Sequence, residues 1–276
     1  MKYYSPLLLS IVSLFSIAST AQEIETHIYH YDLTSESVDV GNVTIQVVEQ
    51  ADGGYVVAES TSIETPGWLG DISSRSTQIE NYSSEGVFLQ ADVKTISGSQ
   101  AYWRKAEVSG EELWASYTEV ENLTEKEERE FIGAAVGIAS NMVAGLGSVL
   151  ALGQLFLSDA DAPLDNVRMS TSTYETSFAN LPFYWMDKEY ELPAVLSLFD
   201  SGTLAVNTFD TQFLGEQTFQ LGSKEGAVIT SHYKLTTEDG PDLEIWLTVS
   251  ERKSPYFYQL SGTDNDGPFQ ILLTQK

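Results

Sequence analysis

The sequence predicts a mainly β fold: a curved antiparallel sheet or half-barrel wrapped around one long apolar helix or helical hairpin. Three observations predict it. Short runs rich in Val, Ile, Thr, Tyr and Trp recur on both sides of the chain's middle and are separated by Gly-containing turns. Between the two β-rich portions, Phe131 to Leu157 carries no charged residue. Finally, no Pro- or Ser-rich linker divides the chain, so one core can serve both portions.

The N-terminus reads as a secretory signal peptide. Lys2 provides the positive start, Leu7 to Ala18 the apolar stretch, and Ser19-Thr20-Ala21 a small-residue cleavage site. Cleavage after Ala21 leaves residues 22–276 as a single domain. An apolar stretch of this length is too short to span a hydrocarbon layer of about 30 Å, so cleavage rather than anchoring is expected. The chain has no Cys. That excludes an acylated N-terminal Cys, disulfides, thiolate metal sites and Cys nucleophiles, and it suits a Gram-negative envelope better than an animal secretory route. A periplasmic or secreted location follows as the expectation.

Forty acidic residues against fourteen basic ones give a net charge of −26. Such a chain is repelled by phosphate, so nucleic acid and anionic membranes are poor partners. It also stays soluble through its own charge.

Within the first β portion, Val43, Ile45 and Val47 alternate with Thr44 and Gln46, and Asp52-Gly53-Gly54 then turns the chain into Tyr55-Val56-Val57. Further turns fall at Pro66-Gly67, Ser84-Glu85-Gly86, Ser97-Gly98-Ser99 and Ser109-Gly110-Glu111. Thr124 with Glu127 forms a capping box, so a helix is expected over about 124–157. Along it Gly133, Gly137, Ser140, Ala144, Gly147 and Ala151 form a stripe of small residues beside a bulkier one of Ile132, Val136, Ala139, Val143, Leu146 and Leu150. The segment is long enough to cross a bilayer, but a span here would strand the C-terminal strands in the cytoplasm, away from the sheet they complete. A helix buried in the curved sheet, or a hairpin broken at Gly145-Leu146-Gly147 that lines an apolar cavity, is the expectation, and no constitutive membrane span is expected. A short helical turn is expected at Leu192 to Phe199. Leu243, Ile245, Leu247 and Val249 then alternate with Glu244, Trp246 and Thr248, and Asn265-Asp266-Gly267 joins Tyr256–Leu260 to Phe269–Leu273 as a terminal hairpin.

Candidate chemistry is sparse. His27 and His30 fall on opposite faces of one strand, so no metal site is assigned. Gly262 to Gly267 overlaps a calcium loop but has Gly262 at its first ligand position and Leu273 where the bidentate Glu belongs; a hairpin turn explains it. Ser250 and Lys253 match a Ser-Lys nucleophile spacing without the companion motifs. No catalytic residue and no cofactor are assigned. The five Trp could form a sugar-stacking surface or a sheet core, and strand preference favours the core.

Tyr29-x-Tyr31, Gly41-x-Val43, Asp52-Gly53-Gly54-Tyr55, Leu243-Glu244-Ile245-Trp246, Tyr258 to Leu260 and Asp266-Gly267 form a pattern that resembles uncharacterised periplasmic β-protein families of Gram-negative bacteria. Those families are similar in fold to the outer-membrane lipoprotein carriers, in which a curved sheet encloses an apolar cavity around helices. The resemblance implies an apolar cavity, and the long apolar segment departs from the families' usual pattern. The expected function is non-enzymatic binding of an apolar or lipid-like ligand, with Ile132, Val136, Val143, Leu146 and Leu150 of that segment and the inward strand residues Ile245 and Leu247 lining the cavity. The alternatives are an envelope interaction or assembly protein with a filled core, and a hydrolase without a recognised motif.

Overall fold

The computed structural model describes residues 25–35, 37–64, 73–97, 100–121, 167–220, 227–238, 242–250, 254–264 and 267–275. The first seven strands form an antiparallel meander: β1 (Thr26–Ser35), β2 (Val38–Glu49), β3 (Tyr55–Glu64), β4 (Ser73–Tyr82), β5 (Phe88–Ser97), β6 (Gln100–Ser109) and β7 (Glu112–Glu121). Two short strands follow, β8 (Val167–Ser170) and β9 (Thr176–Ser177), and then the helix α1 (Leu181–Asp187). A second meander closes the chain: β10 (Val195–Asp200), β11 (Ala205–Gln220), β12 (Ala227–Thr236), β13 (Leu243–Val249), β14 (Pro255–Asp264) and β15 (Gly267–Gln275).

All fifteen strands belong to one sheet, in the order β8 to β1 and then β15 to β9. The first and last strands therefore pair at its middle, with Tyr31 opposite Leu273. The chain walks from the middle out to β8, crosses to β9 at the other edge, and walks back. Among the described residues only the β9–β10 pair is parallel.

This connectivity forces curvature. Laid flat, fifteen strands at about 4.8 Å spacing would set their edges roughly 65 Å apart. The chain from Ser170 to Thr176 can reach only about 20 Å. The sheet must curl until its edges meet, and it does so as a scroll, because β9 and β10 lie against the concave face of β4 to β6. Phe199 of β10 meets the edge of Phe88 of β5 at 5.3 Å between ring centroids, and the Ser177 hydroxyl of β9 lies 2.5 Å from that of Tyr82 on β4.

Period-two alternation places the side chains. On β1, Tyr29, Tyr31 and Leu33 are buried, whereas Ile28, His30 and Asp32 are exposed. The turns fall where Gly supplies positive φ, at Gly53, Gly86 and Gly110. The terminal hairpin pairs Leu260 with Ile271 and Asp264 with Gly267.

Two expectations are corrected. Residues Val195–Asp200 form β10 rather than a helical turn, because Leu196 and Leu198 bury on one side with Ser197 between them. The helical turn lies earlier, at α1, where Pro182 sits in the first turn with its missing N–H costing nothing and Leu181, Pro182 and Trp185 are buried. Among the described residues the helix on the concave side is thus the seven-residue α1, not a long apolar one. The apolar segment Phe131–Leu157 lies outside the described residues, as do the signal peptide, the Thr124 capping box and the Pro66-Gly67 turn. Among the described residues no helix is long and apolar enough to cross a membrane.

Candidate functional site

Three regions carry the chemistry of the described residues: a buried carboxylate hub, an aromatic plug, and a protruding strand edge.

The hub is Glu80, whose alternation on β4 with Ser74, Ser76, Gln78 and Tyr82 sends five side chains inward, all buried. Four donors converge on its two oxygens. Gln78 Nε2 at 2.7 Å and Ser201 Oγ at 2.5 Å donate to Oε1. Ser177 Oγ at 2.6 Å and the Tyr82 hydroxyl donate to Oε2. Glu80 is fully buried, and burial raises its pKa, while the Ser177, Ser201 and Tyr82 hydrogen bonds pull it back. Burial also holds the Tyr82 phenol well above its usual pKa, so it remains a donor. Since Ser177 comes from β9 and Ser201 follows β10, this one carboxylate ties the inner edge of the scroll to β4.

Asn180 extends the network. Its side-chain oxygen accepts from Tyr55 Oη at 2.6 Å, and its amide donates to Gly86 O at 3.2 Å and Thr176 Oγ1 at 2.9 Å. Close by, Asp200 accepts from the Gly202 N–H and the Thr203 hydroxyl, each at 2.8 Å. Burial raises the Asp200 carboxyl, with these bonds and the Arg104 charge acting against the rise. Arg104 is itself buried beside Tyr102 and Tyr117, with its guanidinium 5.4 and 5.3 Å from their ring centroids. The Tyr117 phenol is pushed up to about 12, first by burial and then by Glu119. With four donors from β4, β9 and the end of β10 converging on it, the Glu80 carboxyl joins these three strands at one buried point.

The plug fills the other half of the concave face. Phe178 stacks on Phe257 of β14 at 5.7 Å, and Phe183 of α1 stacks on Tyr55 of β3 at 4.6 Å. Glu189 and Tyr190, at φ of 57° and 69°, turn the chain sharply after α1. This lets the Tyr190 N–H reach Trp185 O at 2.9 Å, and Tyr190 O accept from Tyr233 Oη at 3.0 Å. Tyr29 stacks on Tyr256 at 4.7 Å, and the Tyr31 hydroxyl donates to Phe257 O at 2.9 Å.

The protruding edge is β11. It runs sixteen residues, but β10 pairs only with Ala205–Asp210. The Thr211 N–H still donates to Ala194 O at 2.9 Å. Beyond it, among the described residues, β11 has one neighbour, β12, which it follows through a bulge at Leu214-Gly215. There Phe213 is 55% exposed and Leu214 44%, and Ile229 on β12 is 61% exposed. The stretch is nevertheless held firmly from behind. Gln217 gives its amide nitrogen to His232 Nδ1 at 3.1 Å and takes the Trp246 Nε1–H on its oxygen at 2.8 Å. His232 stacks on Trp246 at 4.1 Å, and its Nε2 lies 2.8 Å from Glu244 Oε2. With a carboxylate at Nε2 and an amide N–H at Nδ1, the partners select the Nε2–H tautomer.

Of the residues singled out from sequence, Ile245 and Leu247 are completely buried in the core. They do not line the surface groove of about 520 Å³ between Thr34, Lys234, Glu244 and Phe269. Ile132, Val136, Val143, Leu146 and Leu150 lie outside the described residues. His30 is exposed and bonds Thr44, and His27 lies 3.5 Å from Glu25. Among the described residues no cluster of His, Asp and Glu could hold a metal. Ser250 takes the Ser254 N–H on its hydroxyl at 3.0 Å and closes the β13–β14 turn, while Lys253 lies outside the described residues. Trp185 and Trp246 are buried in the core, whereas Trp114 is 49% exposed beneath the Arg168 guanidinium. Neither Glu80 nor the β11 edge was visible in the sequence: an inward carboxylate reads like any polar strand residue, and a strand's neighbours are not encoded locally.

An open, curled antiparallel sheet with an internal plug defines an all-β, barrel-like class. Compared with protein families and with curated proteins, the sequence gives no match. Among solved structures it is similar to the crystal structure of a beta-barrel-like protein of the domain of unknown function DUF1849 from Brucella abortus. The TM-score is 0.54 at 10% identity, over 90% of this chain and 95% of the other. At that identity the likeness shows the fold alone.

Proposed function

We propose that the protein is a non-enzymatic interaction protein of the cell envelope, exported by its N-terminal signal and built on a filled core. One observation carries this reading. The exposed apolar residues Phe213 and Leu214 lie on a stretch of β11 that, among the described residues, has β12 as its one neighbour, with Ile229 exposed on that neighbour, and the stretch is braced from behind by Gln217, His232 and Trp246. A rigid, apolar, unpaired edge is a ready template for another chain. The packed plug supports the same reading, since Phe178, Leu181, Trp185, Ile245 and Leu247 fill the concave half where an apolar ligand would otherwise sit.

A photo-crosslinking amino acid at Phe213, introduced into the chain expressed in its own host, tests this. A discrete higher-mass adduct is expected at Phe213 and not at the exposed control Val87. Absence of any adduct at Phe213 under conditions where the protein is folded and exported would refute the proposal. The second reading, binding of an apolar or lipid-like ligand by Ile132, Val136, Val143, Leu146, Leu150, Ile245 and Leu247, is supported by the aromatic richness of the concave face and predicts a lipid released on organic extraction.

A further inference from the structure

We infer that the Gln212–Gln220 stretch of β11 receives its partner as an added β-strand, and that the added strand is basic and apolar. The inference rests on the interaction reading above and specifies the partner's chemistry.

Backbone geometry gives the first step. The Thr211 N–H points away from β12, since it donates to Ala194 O on the opposite side. Alternation along a strand then turns the Phe213 amide the same way. The bulge shifts the register so that Gly215 faces His232 and Glu216 faces Ser231. Tyr233 and Ser231 are two apart on β12, so their partners Phe213 and Glu216 share one orientation, and Thr218, opposite Ile229, follows. The edge therefore offers N–H and C=O groups at Phe213, Glu216 and Thr218, the row that strand addition uses.

Side chains on the Phe213 face supply specificity. Phe213, Glu216, Thr218 and the neighbouring Ile229 lie there, with Phe213 and Ile229 more than half exposed. An added strand would cover these residues with its own apolar side chains.

Charge supplies the sign. The sixteen residues of β11 include Asp210 and Glu216 and no Lys or Arg, and the whole chain carries −26. A second copy of this chain would bring carboxylates against carboxylates and be repelled. A partner segment with Lys or Arg flanking its apolar residues is complementary, and attraction by the whole chain speeds its arrival.

The test is fluorescence anisotropy with two labelled nine-residue peptides that alternate Val and Thr, one carrying three Lys and one carrying three Glu, titrated with the full exported chain. The Lys peptide is expected to bind at low salt, the Glu peptide about tenfold or more weaker, and the Lys affinity to fall as salt rises. Thr218→Pro deletes one outward amide and should weaken the Lys peptide about tenfold, whereas Thr218→Val, which keeps the amide, should not. Circular dichroism melts of both variants confirm that the sheet persists. Equal binding of the two peptides overturns the charge assignment, and equal binding by Thr218→Pro and the parent overturns strand addition. If no peptide binds while the Phe213 crosslink still forms, strand addition fails and the interaction reading stands; if neither occurs, both fail.

Discussion

Where β4 faces β9 and β10, the concave surface is held by hydrogen bonds to one carboxylate; where β13 and β14 face Phe178 and α1, it is held by rings and aliphatic chains. Both regions are equally dry, with Glu80 and Leu247 each at zero exposure. They differ in tolerance. An apolar contact falls off gradually when a side chain moves, whereas a buried carboxylate needs each of its donors in place. The polar half thus specifies the geometry of the inner edge, setting Ser177 and Ser201 within hydrogen-bond reach of β4. The apolar half supplies burial, at roughly 25 cal/mol per Å². A scroll needs both, because a sheet closed only by apolar contact can slip in register at its inner edge.

Breaking the carboxylate side has the largest expected effect. Glu80→Ala leaves Gln78, Tyr82, Ser177 and Ser201 without their acceptor, and should destabilise by roughly 5 kcal/mol in urea unfolding. A loss below about 1 kcal/mol would show that the inner edge is held by packing alone. Breaking the apolar side comes next. Phe178→Ala empties the stack on Phe257 and should cost about 3–4 kcal/mol, read the same way. Smaller still is Tyr55→Phe, which removes the bond to Asn180 and keeps the stack on Phe183, for about 1 kcal/mol.

Acidity separates the halves without mutation. Burial raises the pKa of Glu80 in the folded state, and that of Asp200 likewise. The folded protein then binds protons more tightly than the unfolded chain. The stability these groups contribute is fully present below their ordinary carboxylate range and is lost as pH rises through the raised folded values. Glu80→Gln should flatten part of that fall, and Phe178→Ala should leave its slope unchanged; parallel slopes for all three proteins would remove Glu80 from the account.

The meander was legible in the sequence because alternation and Gly turns are local. Val43, Ile45 and Val47 gave β2, Gly53, Gly86 and Gly110 gave the hairpins, and Leu243 to Val249 gave β13. The scroll was not, since Ser170 and Thr176 become opposite edges only through the fourteen strand pairings of the whole sheet. Nor was Glu80, because the inward residues of β4 are Ser74, Ser76, Gln78, Glu80 and Tyr82, a series that period two alone assigns to solvent. Alternation reveals that a strand has two faces; when the inner one is polar, it does not reveal which. α1 escaped notice for a related reason: its aromatic run reads as strand, and only Pro182 in its first turn marks a helix start.

A concave side filled by Phe178, Leu181, Trp185, Ile245 and Leu247 leaves no room there for an apolar ligand. Native mass spectrometry of the protein, purified without detergent from its host and then extracted with organic solvent, checks this. The expected result is the mass of the bare chain with no releasable lipid; a stoichiometric lipid mass lost on extraction would overturn the filled core and make the concave face a binding cavity.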